Sequence, residues 1–288
     1  KDVSSQIEVF DTAGNYLYPI PMPYQGAAYL HVLKKEEDEA YFGFDSFIHP
    51  HEYYHYNIKD SKLTYYHCDP IKADVSKIVS KQVFYPSLDG TMIPLTIIYR
   101  EGMIRNGLNP CLLYGYGGFN ISLMPSFSDT RVALLEKGFI YAIANLRGGG
   151  EYGEAWHEAG MKLQKQNVFN DFIAAAQYLI QEGYTSSQKL AINGGSNGGL
   201  LVGACLTQRP DLFKVAVPQK GVLDMLRYHK FTCGWGWMGE YGNPDEEEHF
   251  KNLLAYSPLH NIKAGQKYPA TMITTADHDD RVIPGHSF

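Results

Sequence analysis

The sequence predicts an α/β fold: a mostly parallel sheet with helices on both faces, behind a leading stretch made only of strands. Three observations predict it. Continuously apolar runs at residues 111–114, 139–144, 190–192, 215–217 and 270–274 alternate with helical patterns, as buried parallel strands do. The run ending at Ile192 passes through Gly194-Gly195-Ser196-Asn197-Gly198 into the small, apolar segment 200–206. That is strand, sharp turn and helix, with the form G-x-S-x-G at the turn. Before about residue 70 the pattern differs, with short strand-type runs separated by turn residues.

Those early runs are 7–10, 27–33, 40–44, 53–58 and 63–67. Ala13-Gly14-Asn15, Ile48-His49-Pro50 and Lys59-Asp60-Ser61 mark turns between them, and the charged run 34–39 reads as a solvated hairpin tip. The spacing suggests a meander, as in a propeller blade or a sandwich sheet. Residues 68–80 read as a linker. Val83-Phe84-Tyr85-Pro86 then opens a hairpin that turns at Leu88-Asp89-Gly90-Thr91 and returns over 93–99. Helices are expected at 131–137, stopped by Gly138, and at 170–182, with Phe172, Ala175, Ala176 and Leu179 on one face and Gly183 at the end.

Composition narrows the function. The 288 residues suffice for one large domain or two smaller ones. The net charge is −6 and no basic run stands out, which argues against nucleic acid as a partner. Cys68, Cys111, Cys205 and Cys233 lack zinc or redox spacing and read as reduced, buried thiols of a cytoplasmic protein. No run is long enough to span a membrane, and Lys1-Asp2-Val3-Ser4 does not open a signal peptide. His49, His51 and His55 lie close together without a cysteine or second cluster, so no metal is expected. Asn120-Ile121-Ser122 fits a glycosylation sequon by chance. The 22 tyrosines suit a β-rich part or an aromatic-lined site.

A serine at such a turn is either an incidental residue of a glycine-rich loop or a nucleophile lifted to the top of the sheet. The second reading needs a base, a group orienting that base, and an oxyanion hole. In this type of fold the order is Ser, then Asp or Glu, then His. The carboxylate is expected in Thr275-Ala276-Asp277-His278-Asp279-Asp280-Arg281-Val282, after the run 270–274. His286 and His278 stand too close to these aspartates to serve from a separate loop, so the chain reads as stopping before its base. For the oxyanion, the Asn197 backbone N–H is one donor, and the loop Tyr114-Gly115-Tyr116-Gly117-Gly118-Phe119 offers the other. A phosphate cradle is the rival reading of that loop, but it lacks both Gly-Lys-Ser/Thr and G-x-G-x-x-G spacing. By composition alone, Trp235 and Trp237 read as core.

Taken together, 114–119, Arg147-Gly148-Gly149-Gly150-Glu151-Tyr152-Gly153, 193–201 and 275–282 resemble the prolyl oligopeptidase family. The resemblance runs from about Val83 to the last residue, and more weakly over 1–70. It implies an α/β-hydrolase domain preceded by the end of a β-propeller, with 1–70 as the propeller part and 71–288 as the peptidase domain, truncated before the catalytic histidine loop. It implies a serine endopeptidase that cuts short peptides on the carboxyl side of proline through an acyl-enzyme on Ser196. Ser196 matches the nucleophile, Asp279 the triad aspartate, and Tyr116 the oxyanion hydroxyl working with Asn197. Trp237 matches the indole that stacks on the proline ring. Phe119, Val222, Tyr241 and Val282 match the rest of that pocket, and Arg281 a hydrogen-bond partner of the substrate backbone. An aromatic slot suits proline, a ring without an N–H. No cofactor is implied, the partners are short proline-containing peptides, and the complete protein is expected to be a cytoplasmic monomer. Two alternatives are a catalytically inactive fragment or binding protein, and a general esterase on the same fold.

Overall fold

A computed structural model describes residues 3–33, 37–68 and 70–288. The chain divides into two compact units. The first holds the residues up to Ser80 together with Met124–Glu136; the second holds Lys81–Leu123 and Lys137–Phe288.

In the first unit, β1 (Ile7–Phe10) pairs antiparallel with β2 (Tyr16–Ile20). Next, β3 (Ala27–Leu33), β4 (Glu39–Asp45), β5 (Glu52–Asn57) and β6 (Lys62–Cys68) form a four-stranded antiparallel sheet in chain order. Period-two alternation places Phe42 and Phe44 on one face with Tyr54 and Tyr56, and their rings meet edge to face. Strand β2 was not expected. Its Pro19 cannot donate to a ladder, and β2 has only β1 beside it. Residues 1 and 2, residues 34–36 of the charged tip, and residue 69 of the linker lie outside the described residues. Helix α1 (Asp129–Glu136) completes this unit, with Arg131 over the Phe47 ring at 5.2 Å. The three neighbouring histidines face separate partners. His51 meets Asp45 at 2.9 Å, His55 meets Glu39 at 3.5 Å, and His49 stacks on Tyr24. Among the described residues no group of His, Cys, Asp or Glu is arranged to hold a metal.

The second unit is organised on a sheet of β7 (Ile78–Pro86), β8 (Met92–Arg100), β9 (Cys111–Gly115), β10 (Ile140–Ala144), β11 (Leu190–Gly195), β12 (Val215–Gln219) and β13 (Ala270–Thr271). The spatial order is β13-β12-β11-β9-β10-β8-β7. Strands β9 to β13 run parallel, and β8 is antiparallel to β10, so the sheet is mostly parallel as predicted. The helices are α2 (Glu154–Glu158), α3 (Gln166–Gln181), α4 (Asn197–Gln208), α5 (Met238–Tyr241) and α6 (Glu247–Tyr256). Helix α3 buries Val168, Phe169, Phe172, Ala175, Ala176 and Leu179 in the core shared with Leu113 and Ile192 of the central strands. Each large apolar side chain so buried contributes roughly 1.5–3 kcal/mol.

Four expectations change. The linker ends sooner, because β7 begins at Ile78. Helix α3 starts at Gln166 rather than 170, and no side-chain cap marks its start. The ladder of β13 stops at Thr271, although Met272 N–H still reaches Ala216 O (3.0 Å) and Thr274 bridges Gln219. Of the cysteines, only Cys111 and Cys205 are buried; Cys68 is half-buried and Cys233 exposed. No described helix is long and apolar enough to cross a membrane.

Candidate active site

Ser196 stands between the end of β11 and the first turn of α4 with φ 57° and ψ −117°, a conformation costly for any residue with a Cβ. The neighbourhood enforces it. Its N–H donates to Gln219 O of β12 (2.9 Å), and its carbonyl accepts from Gly199 N–H (2.9 Å) and Leu200 N–H (3.1 Å). A Cβ on Gly194 would lie 2.4 Å from Gly198 O, and one on Gly199 2.5 Å from Gly221 Cα. Strand, turn and next helix therefore pack backbone against backbone, which only glycine permits.

Ser196 opens into a cleft of about 610 Å³ lined by Tyr114, Tyr116, Phe119, Val222, Trp237, Tyr241 and Arg281, among others. The Tyr116 hydroxyl lies against the Ser196 side chain. Burial raises the Tyr116 pKa, and the smaller opposing effects of Ser196 and the Arg281 charge do not cancel that, so the phenol stays a proton donor. Asn197 is the first residue of α4, and its N–H has no intrahelical acceptor. The Asn197 side chain is buried. Its Nδ2 donates to Tyr116 O (2.6 Å), and its Oδ1 accepts from the Tyr241 hydroxyl (3.0 Å). A Cβ on Gly118 would come within 2.6 Å of Asn197 Nδ2, so Gly118 has to be bare.

The structure brings Ser196, Tyr116, Asn197, Phe119, Val222, Trp237, Tyr241 and Arg281 to one cleft. Tyr241 and Val222 are fully buried beneath it, and Phe119 meets Tyr241 edge-on at 5.5 Å. Trp237 lies parallel to Tyr228 with ring centroids 6.4 Å apart. Trp235 is 65% exposed, so of the two tryptophans only Trp237 packs against the core, and that one also faces the cleft. Val282 is buried in the core rather than lining the cleft. Asp279 stands apart. Its Oδ1 accepts from the N–H groups of Arg281 (3.1 Å) and Val282 (2.9 Å) within its own turn. Among the described residues no histidine hydrogen-bonds Ser196 or Asp279. His286 is buried, accepts through Nδ1 from Asp224 N–H (3.2 Å), and has its pKa pushed down to about 4 by burial. His278 is exposed beside Asp277.

Sequence reasoning placed Tyr114 in the site loop but missed Gln219 and Lys220 in the cleft lining, and it missed a buried cluster behind it. Lys165 is 1% exposed and donates to Gly117 O (2.9 Å) and to Glu240 Oε1 (3.2 Å). Glu240, also buried, accepts from His157 Nε2 at 2.8 Å, while the His157 Nδ1 side faces Glu154 at 3.2 Å. A lysine in a polar stretch and a lone glutamate in a glycine- and aromatic-rich one carry no sequence signal that separates them from solvated side chains.

The chain is similar to proteins already described. The model of the prolyl oligopeptidase family matches residues 125–288. The prolyl endopeptidase of Elizabethkingia meningoseptica is 51% identical over all of this chain, which spans 41% of that protein. The prolyl endopeptidase of Dictyostelium discoideum is 48% identical over all of the chain, 38% of its own length. Among solved structures, a prolyl endopeptidase superposes with a TM-score of 0.97 at 45% identity, covering 100% of this chain and 42% of that one. Prolyl oligopeptidase B from Galerina marginata, bound to a 35mer hydrolysis and macrocyclization substrate, gives 0.96 at 37% identity, over 100% of this chain and 41% of that one. The chain thus spans about two fifths of the length of the relatives it matches.

Proposed function

Because the chain belongs to the prolyl oligopeptidase family, we propose that the complete protein is a serine endopeptidase acting on short peptides at the carboxyl side of proline. The observation that carries this reading is the pairing of Ser196, on its strained turn, with the Tyr116 hydroxyl in a cleft walled by Trp237 and Phe119. In the proposed reaction Ser196 Oγ attacks the carbonyl carbon of the proline residue. The developing oxyanion accepts from the Tyr116 hydroxyl and the Asn197 N–H. The Ser196 proton passes to the general base and from it to the amine nitrogen as the C–N bond breaks, leaving a prolyl ester on Ser196; water, giving its proton to the same base, then hydrolyses that ester and returns a proton to Ser196 Oγ. Asp279 is assigned as the carboxylate that orients the general base. Among the described residues no histidine hydrogen-bonds Ser196, and Asp279 is bonded within its own turn, so its assignment rests on the family resemblance. Trp237 stacks on the proline ring, with Phe119, Val222 and Tyr241 shaping its slot and Val282 packed in the core instead, and Arg281 donates to the peptide backbone.

Residues 1–70 are assigned to the end of a β-propeller, supported by the antiparallel meander of β3 to β6, and 71–288 to the hydrolase domain. The buried thiols Cys111 and Cys205 suit a reducing compartment, which supports a cytoplasmic location.

The test is to treat the complete protein with a fluorophosphonate and map the label, then compare an acyl-Gly-Pro chromogenic amide with its alanine counterpart. Labelling at Ser196 and strong preference for the prolyl amide are expected. Labelling elsewhere, or equal turnover of both amides, would overturn the reading.

A further inference from the structure

Two consecutive peptide carbonyls flank the Tyr116–Gly117 link, and each is held by a side chain rather than by a strand partner. Tyr116 O accepts from Asn197 Nδ2 (2.6 Å), and Asn197 is held in turn by the Tyr241 hydroxyl (3.0 Å). Gly117 O accepts from Lys165 Nζ (2.9 Å), and Lys165 is held in turn by Glu240 (3.2 Å). Glu240 and Tyr241 are adjacent on α5, one turn beyond Trp237. The Lys165 ammonium also lies 5.4 Å from the Tyr241 ring centroid. Both tethers of the tyrosine loop thus end on the same short helix that carries the wall of the cleft.

We propose that Lys165 and Glu240 are a positioning pair: they fix the Gly117 peptide, and through it hold the Tyr116 hydroxyl over Ser196. The inference rests on the functional reading above. Neither side chain lines the cleft, so neither touches substrate. A fully buried ammonium is costly unless paired, and burial lowers the Lys165 pKa against the pull of Glu240. An apolar pair would fill the same space at less cost. Stability is thus a weak reason for the charges, and the carbonyl they hold is the better one. Gly117 has φ 65°, and a Cβ there would come 2.3 Å from Val168 Cγ1, so the loop has no side chain of its own at that position to lock it.

The double variant Lys165→Met/Glu240→Met in the complete protein separates positioning from scaffolding. It should stay folded with a modestly lowered thermal midpoint, since the two opposite charges leave together while His157 and Gly117 O each lose a partner. Its kcat on the prolyl amide should fall about 10²-fold, the scale of one misplaced oxyanion donor, with KM nearly unchanged. Labelling of Ser196 by a fluorophosphonate uses the same hydroxyl and needs no proline, and it should slow in parallel. A wild-type protein that is labelled at Ser196 but ignores prolyl amides therefore sinks the substrate reading alone, and the labelling rate still decides the positioning claim. A folded variant with wild-type labelling and kcat overturns the proposal. So does one in which only KM rises. If the double variant loses its fold, Glu240→Gln keeps the shape and a hydrogen bond to Lys165, and the same two rates decide.

Discussion

Ser196 and Asp279 both follow strands of one parallel sheet, yet they are held in different ways. The serine is fixed by contacts that no side chain makes. Its amide is bonded across to Gln219, and glycines on either side let β11, α4 and the Gly221 segment touch backbone to backbone. The aspartate is held within its own turn, its carboxylate by N–H groups two and three residues further along and its own N–H by Ala276 O (3.4 Å), and the residues just before it are exposed. The serine is thus set by the sheet, the aspartate by a local turn. A position built from backbone packing is rigid without any further partner. One built from a turn acquires its chemical role only from whatever it faces.

The largest expected effect tests the rigid half. In the complete protein Ser196→Ala should lower kcat on a prolyl amide by about 10⁶-fold with folding intact, since losing the nucleophile removes the whole covalent route. A loss below about tenfold, by single-turnover kinetics, would mean that the elbow is not the reactive group. Next comes Tyr116→Phe, expected to cost roughly 10²–10³ in kcat with little change in KM. An unchanged kcat would reduce Tyr116 to packing.

Two glycine variants then test the backbone contrast itself. Gly199→Ala places a methyl 2.5 Å from Gly221 Cα and should destabilise the fold by about 1–3 kcal/mol in urea unfolding. Gly195→Ala meets nothing closer than 3.8 Å and should change stability by less than about 0.5 kcal/mol. Equal effects would mean that the close backbone approach at Gly199 does not hold the turn. In the pocket, Trp237→Ala should cost about 1 kcal/mol beyond the lost burial on prolyl substrates, and less on a simple ester. Equal losses on both would make Trp237 purely structural.

A further effect concerns the segment after Asp279. His286 is held neutral, with a pKa near 4 when folded against about 6.5 when unfolded. Between those values the unfolded chain binds the proton that the folded chain refuses, so stability falls as pH drops from about 6.5 to 4. The contribution is full above the unfolded value and spent below the folded one. Urea midpoints at pH 7 and 4.5 should differ, and His286→Gln should shrink the difference. An identical pH slope in the variant would show that other groups carry it.

The same contrast explains what was legible in the sequence. The elbow could be read because its cause is local: glycines at fixed offsets from a serine, between an apolar strand and a small-residue helix. The parallel strands could be read from unbroken apolar runs. Strand β2 was hidden by Pro19, and the start of α3 by the lack of any capping side chain. Lys165 and Glu240 are 75 positions apart in sequence, and only the fold brings them behind one loop. For Asp279 the residues narrowed the choice to a cluster of aspartates, and family resemblance selected one of them. Its turn carries no mark of its own, because an aspartate accepting from its own backbone looks the same with or without a catalytic task.

Asn197 offers its backbone N–H to the cleft, and with its side chain grips the carbonyl of Tyr116, whose hydroxyl is the other proposed donor. The two donors are therefore the jaws of one caliper, hinged at a single amino acid. Motion of the loop is thereby coupled to the start of the helix, and the gap between the jaws depends on this one hydrogen bond together with the Lys165 tether on the next carbonyl.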